Sequence, residues 1–281
     1  AYYHPAYYGW AHSPWGRPVP YNWGWRAHPW YGYYGGYFTP APVYPTPSLW
    51  LTDFLLAENL KAAYEARAAA QEQAAQPPLA EPAGGGMTPE VKQLIAQEVQ
   101  AQLAEQQAAA QAQQAGQQPA ATSTPAVADE VPSALSPKHR IFIVSSNLAV
   151  MADGQECALT PGDAISRVTD NPDENNQVTA SVLSSKQGDC AAGQQVAVSV
   201  QDLQDMYNSF QEQLDSGLKT LASSSGKGGM PAAPDTGTIG GEVVAPPPDN
   251  DADAVLTDQQ QAADQAEAEL QKEAFTGNAG G

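Results

Sequence analysis

The chain has 281 residues and carries 31 acidic against 12 basic side chains, so its formal net charge is −19. Leucine, isoleucine, valine and phenylalanine together number 45, about 16% of the residues, a composition typical of sequences with extensive disorder. These values argue against one large hydrophobic core spanning the whole chain. No run of about 18 apolar residues occurs, and the sequence therefore predicts no transmembrane helix.

Aromatic and charged residues are distributed unevenly along the chain. Residues 1–50 hold 17 of the 23 aromatic side chains, including all six tryptophans, and their only formal charges are Arg17 and Arg26. The other 231 residues carry about −21. Because phosphate binding requires clustered Lys and Arg, this distribution argues against a nucleic-acid partner. Such segregation is typical of chains with separate interaction segments.

Two features favour an exported protein. Ala1 is a small residue of the kind that follows signal-peptide cleavage. Cys157 and Cys190 lie in the most foldable stretch, and in an oxidising compartment we expect them to form one disulfide. The alternative is two free buried thiols in a cytosolic protein. We therefore predict a secreted protein of the periplasm, outer envelope or extracellular space.

Residues 1–46 form an aromatic, Gly- and Pro-rich low-complexity segment. Gly and Pro at this density disfavour both helices and regular strand pairing. One hypothesis is an adhesive segment that stacks on a protein partner, a saccharide or an envelope surface. The alternative is a disordered tail whose aromatic rings cluster among themselves. The candidate binding residues are Tyr7, Tyr8, Trp10, Trp23, Trp25, Trp30, Tyr31, Tyr33, Tyr34 and Tyr37.

Two helices are predicted next. Residues 47–76 form an amphipathic helix, which we expect to pack against a protein partner; a membrane interface and the protein's own core are the alternatives. Residues 77–135 form a linker that contains an Ala/Gln-rich helix over 89–115. Thr88 at the cap and Pro89 at the first helical position mark its start. Its apolar stripe consists of Val91, Leu94, Ile95, Val99 and Leu103.

Residues 136–222 are the one segment that the sequence predicts to fold as a domain. Short apolar or alternating runs predict about five strands, among them 140–144, 164–168, 178–183 and 195–200. Ser199 and Asp202 have the spacing of an N-terminal helix cap. The helix behind them has one strong apolar stripe, formed by Leu203, Met206, Tyr207, Phe210, Leu214, Leu218 and Leu221.

The turn motif Leu159-Thr160-Pro161-Gly162-Asp163 within these strands resembles small Src-homology-3-like β-barrels of bacterial secreted proteins. The resemblance covers 141–200 and implies a barrel that binds peptides or cell-wall material through an aromatic groove. Phe142 is the only aromatic residue in the predicted strands, which departs from that pattern. The Tyr/Trp/Gly-rich N-terminus also resembles uncharacterised exported bacterial proteins, and that likeness implies no activity.

Residues 223–281 form a Pro-, Gly- and acid-rich tail with a predicted helix over 258–275. The sequence thus predicts an α+β protein: one small β-barrel of about five strands followed by an amphipathic helix. Isolated helices and long disordered or low-complexity segments would flank this barrel.

Catalytic motifs are absent from the sequence. It has no phosphate-binding Gly-x4-Gly-Lys, no dinucleotide-binding Gly-x-Gly-x-x-Gly after a strand, and no His-Glu-x-x-His. A Cys157–His139 nucleophile pair is conceivable, but a disulfide is the simpler account of Cys157. Neither the loop 170–176 nor the histidines of residues 1–50 have the spacing of a metal site.

We therefore expect a non-enzymatic structural or assembly protein without cofactor or metal. It would associate with itself or with a protein partner through the aromatic N-terminal segment and the amphipathic helices. The alternative is a monomeric binding module that recognises a cell-wall saccharide or peptide.

Overall fold

The computed structural model describes residues 3–74, 86–115, 132–152, 154–186 and 190–234, with the backbone alone for 71–74. The fold of these residues is α+β. The helices are α1 Pro5–His12, α2 Pro29–Tyr34, α3 Pro47–Ala74, α4 Pro89–Gln114 and α5 Val200–Ser224. The strands are β1 Val19–Pro20, β2 Val43–Tyr44, β3 Ile141–Ile143, β4 Leu148–Ala152, β5 Gln155–Leu159, β6 Ala164–Arg167, β7 Gln177–Ser184 and β8 Gln195–Ser199.

Local sequence signals explain where the two long amphipathic helices α4 and α5 begin. The Thr88 hydroxyl accepts a hydrogen bond from the Val91 amide, and Pro89 follows at the first helical position. The Ser199 hydroxyl likewise accepts from the Asp202 amide at 3.0 Å. Both helices therefore start at the residues that the sequence indicates. None of the described helices is long and apolar enough to cross a membrane.

Six strands form one antiparallel sheet in the order β3-β6-β7-β8-β4-β5. The sheet does not close, because the outer strands β3 and β5 do not pair with each other. The predicted barrel is therefore not present. Helix α5 packs on the sheet and covers apolar residues that a barrel would enclose.

The described residues form two hydrophobic cores. The sheet core is lined by strand residues such as Val178, Val182, Val196 and Val198. The aromatic core is formed by buried aromatic and aliphatic side chains from residues 3–60 together with apolar side chains of α4. Helix α5 contributes to both: its first turns, with Leu203 and Met206, face the sheet core, and its later turns face the aromatic core through Phe210, Leu214, Leu218 and Leu221.

The prediction of isolated helices is wrong for α3 and α4, because both pack with α5 in one aromatic core. Contact between α3 and α5 is close at Gly217, where an added Cβ would lie 2.9 Å from a methyl group of Leu51. The missing side chain lets the two helices approach.

Residues 3–46 are also folded, so the alternative of a disordered tail is wrong for them. They contain α1, α2, a 3₁₀ turn at Trp25–Ala27 and the two-residue ribbon β1–β2. Each buried aromatic ring removes much more apolar area from water than an aliphatic side chain, which compensates for the scarcity of Leu, Ile and Val. The predicted linker residues 77–85, the linker 116–131, and the tail from 235 with its helix 258–275 lie outside the described residues.

Candidate functional site

The ten predicted binding residues divide into two groups. Half of them are buried in the aromatic core, and these are Tyr7, Tyr8, Trp30, Tyr34 and Tyr37. The other half keep part of their surface exposed, and these are Trp10, Trp23, Trp25, Tyr31 and Tyr33. The segment therefore uses most of its aromatic surface inside the molecule, and only a minority of it faces solvent.

Three of these partly exposed residues, together with Tyr21 and Val43, form what we call the aromatic face, defined as Tyr21, Trp23, Trp25, Tyr31 and Val43. Val43 is 41% exposed and pairs with Pro20 in the β1–β2 ribbon, next to Tyr21. The ring of Tyr21 lies 4.7 Å from that of Trp23. The buried ring of Trp30 connects Trp25 with Tyr31, at 5.6 Å from each.

The aromatic face is the outer end of a ring stack that begins in α3. The rings of Trp25 and Trp23 are 4.2 Å apart and nearly parallel, at 15°. Trp23 stacks in turn on Trp50 at 4.5 Å, and Trp50 stacks on Phe54 at 5.8 Å. Trp50 is fully buried. The exposed rings are therefore held in place by a packed interior.

A buried polar network fixes the same rings. The Trp23 indole donates to the Tyr44 hydroxyl at 2.6 Å, and that hydroxyl donates to Asp53 at 2.7 Å. The fully buried Asp53 carboxylate also accepts from the Ala41 amide and forms an ion pair with Lys92. Burial, followed by the charge of Asp53, raises the pKa of Tyr44 above its ordinary value, so this phenol stays protonated and remains a donor.

A second buried cluster joins α4 to the sheet. Nδ1 of His139 lies 2.7 Å from Glu98 and Nε2 lies 3.2 Å from Glu105. Burial lowers the pKa of His139, but hydrogen bonds and charges from the two carboxylates outweigh it, and the net pKa is raised. Because both ring nitrogens face carboxylates, the imidazolium is the form that satisfies both contacts. The sequence offers no signal for this cluster, since His139 and Glu98 are 41 residues apart.

Beside this cluster a groove of about 540 Å³ lies between α4 and α5. Its walls contain three carboxylates, from Glu105, Glu212 and Asp215, and no Lys or Arg. The remaining lining residues are the rings Tyr8 and Tyr207, the amides Gln102, Gln106 and Gln211, and Ala109. Burial raises the pKa of Tyr207, and the charges of Glu105 and Glu98 add to this effect, while its hydrogen bond with Gln211 opposes it.

The predicted disulfide is confirmed: Cys157 of β5 and Cys190, in the turn before β8, are bonded. Cys157 consequently has no free thiol, and His139 is held by two carboxylates. The Cys157–His139 nucleophile pair is therefore not present in this form of the protein.

The acidic loop 170–176 has structural roles. Asp170 pairs with Arg140 and Arg167, and Asp173 accepts from the amides of Asn175 and Gln177. Among the described residues, no group of three or more acidic, His or Cys side chains could hold a metal ion.

Comparisons of the chain with protein-family models, with curated proteins and with solved structures find no match.

Proposed function

We propose that this protein is a non-enzymatic secreted or cell-envelope protein of structural or assembly type, and that it acts by associating with other chains through the aromatic face. The observation that carries the proposal is the partly exposed stack of Trp25 and Trp23, anchored on the buried Trp50. The hypothesis from the sequence is thereby narrowed from the whole N-terminal segment to one surface.

The rigidity of this surface supports the proposal. Association costs free energy when exposed side chains must be ordered, and aromatic rings that are already fixed avoid much of this cost. The indole of Trp23 is held both by stacking and by its hydrogen bond to Tyr44. Rigid Trp and Tyr anchors are the residues that contribute most to protein interfaces.

The chemistry around the aromatic face also favours a protein partner. No carboxylate occurs before Asp53, which is itself buried and paired with Lys92. The face is therefore apolar with a slight positive charge, while the rest of the chain is strongly acidic. Export is supported by the disulfide, since such bonds persist in oxidising compartments.

The test compares two exposed valines. Val43 lies in the aromatic face, whereas Val168 is 47% exposed and follows strand β6 of the sheet. We expect the wild-type chain to show concentration-dependent association in sedimentation velocity at 0.5 M NaCl, because apolar contacts are poorly screened by salt. Val43→Glu should weaken this association about tenfold or more, while Val168→Glu should leave it unchanged.

Two results would contradict the proposal. The first is equal behaviour of the two variants. The second is a wild-type chain that stays monomeric but binds isolated envelope polysaccharide, with binding abolished by Trp25→Ala. That second result would establish the alternative of a saccharide-binding module.

A further inference from the structure

We propose that the α4–α5 groove receives an arginine from the aromatic face of a second copy of this chain, so that copies associate head to tail. This inference rests on the proposed function, because it names the partner of the aromatic face and adds the surface that this face meets. It is carried by the groove's geometry and by charge complementarity between two regions of the chain.

The groove offers hydrogen-bond acceptors and negative charge. Glu212 is exposed and has no ion pair among the described residues. Oε1 of Gln106 is buried and lacks a hydrogen-bond donor, although its Nε2 donates to Gln211 at 3.0 Å. A guanidinium group, which has five N–H donors and a positive charge, complements such a surface.

Two lysines already contact carboxylates of the groove from outside it. Lys138 lies 3.2 Å from Glu105, and Lys219 lies 3.0 Å from Asp215. Both lysine side chains are about 70% exposed, and such surface pairs contribute little to stability. An incoming arginine can add a bidentate hydrogen bond to a carboxylate that neither lysine saturates.

The donors lie at the other region. Arg17 and Arg26 are exposed, and neither has an ion pair or side-chain hydrogen bond within the described part of the chain. Arg26 immediately follows Trp25 in the 3₁₀ turn and thus borders the aromatic face. Because residues 1–52 contain no carboxylate, no neighbouring acid in sequence competes for these guanidinium groups.

A second copy is the occupant that the sequence favours. The C-terminal residues 235–281 contain ten acidic residues and one lysine, so this segment does not complement the groove. The aromatic face and the groove are different surfaces, and a contact between them is heterologous. Such contacts repeat from copy to copy and produce rings or filaments.

The decisive experiment uses two charge-reversed variants of the full chain. The first variant, R17E/R26E, lacks both donor arginines but keeps the acidic groove. The second variant, E212R/D215R, keeps both arginines but has a positively charged groove. We expect wild-type association at 50 mM NaCl to be at least tenfold tighter than that of either variant. An equimolar mixture of the two should restore assembly beyond dimers, since the native arginines of one variant meet the native groove of the other and the two reversed surfaces also attract each other.

A matched control carries the same charge change elsewhere. Asp205 and Glu156 are exposed acidic residues outside the groove, and D205R/E156R should associate like the wild type. The proposal is overturned if the control loses association as strongly as E212R/D215R, if either donor or groove variant assembles like the wild type, or if the mixture stays monomeric. Circular dichroism of each variant verifies that it is folded.

The outcome also separates this inference from the proposed function. If Val43→Glu abolishes association but the charge variants do not, the aromatic face acts on another surface and the groove proposal fails alone. If Val43→Glu has no effect while the charge variants act as expected, the groove contact stands and the role of the aromatic face fails.

Discussion

The aromatic core and the sheet core reach similar burial from different compositions. The sheet core is built of small aliphatic residues such as Val178 and Val198, each placed by the two-residue period of a strand. The aromatic core combines Tyr and Trp from the turns and short helices of residues 3–46 with aliphatic residues from the long helices α3, α4 and α5. In residues 3–46, where no period is present, large rings supply the buried apolar area that regular patterning supplies in the sheet.

Both cores bury polar groups together with partners for them. In the aromatic core, buried hydroxyl and indole groups require partners such as the Tyr44–Asp53 hydrogen bond and the Asp53–Lys92 ion pair. In the sheet, the buried guanidinium of Arg167 in β6 donates hydrogen bonds to three backbone carbonyls of the preceding segment. The difference is that the polar network of the aromatic core fixes rings that reach the surface.

The largest expected effect is that of Trp50→Ala, which removes the centre of the ring stack. Trp50 is fully buried and stacks on Trp23 and Phe54, so we expect a loss of about 3–5 kcal/mol of unfolding free energy. Val198→Ala in the sheet core should cost about 1–2 kcal/mol, as expected for two buried methylene equivalents. Urea unfolding followed by circular dichroism measures both.

Tryptophan fluorescence sharpens this comparison, since all six tryptophans lie in residues 1–50. Helix α5 packs in both cores, so fluorescence and circular dichroism should give coincident unfolding curves for the wild type. If the unfolding free energy of Trp50→Ala lies within about 1 kcal/mol of the wild-type value, the ring stack contributes no more to stability than an ordinary surface residue does.

The disulfide should have the next largest effect, concentrated in the sheet core. Closing the loop between Cys157 and Cys190 is expected to stabilise the folded chain by about 3–4 kcal/mol on the chain-entropy account. In C157A/C190A, hydrogen exchange should accelerate more for amides of β5 and β8 than for those of α3. Equal acceleration in α3 would show that the disulfide affects only global unfolding and not local opening of the sheet core, and unchanged stability would contradict the loop-closure argument.

The difference between periodic strands and non-periodic aromatic segments explains which parts of the structure the sequence could predict. The β strands, the Ser199 cap and the apolar stripe of α5 follow from local period and capping chemistry, and the structure has them at the predicted positions. The covering of the later α5 stripe by the aromatic core could not be predicted, because it depends on contacts between residues far apart in sequence. Tyr7, for example, donates to the carbonyl of Leu218 at 2.6 Å, 211 residues away.

The barrel prediction failed for a related reason. Strand number and turn motifs do not determine whether a sheet closes, because closure depends on what covers its apolar face. Here α5 covers that face. The sequence predicts the apolar stripe of α5, but it does not predict the surface against which that stripe packs. For the site, the sequence indicated the aromatic residues but could not separate buried Tyr7 and Tyr34 from partly exposed Trp25 and Tyr31.

The smallest expected effect concerns His139, which lies where α4 meets the sheet. The groups facing its ring are Glu98 and Glu105 from α4 and Tyr207 from α5, with Lys138 and Arg140 adjacent in the chain. The folded-state pKa is raised above the ordinary value of 6.5, so the folded protein holds this proton more tightly than the unfolded chain does. The contribution of His139 is therefore complete below about pH 6.5 and is lost as the pH rises through the folded pKa.

We expect the unfolding free energy of the wild type to fall between pH 6 and pH 9, and His139→Gln to remove this dependence by lowering stability mainly at the acidic end. His28→Gln is the matched control, because His28 is exposed and forms no ion pair within the described residues. If His139→Gln retains the full slope, the titrating group lies elsewhere. If its stability at pH 6 equals that of the wild type, the two carboxylate contacts of the imidazolium do not help to hold α4 on the sheet.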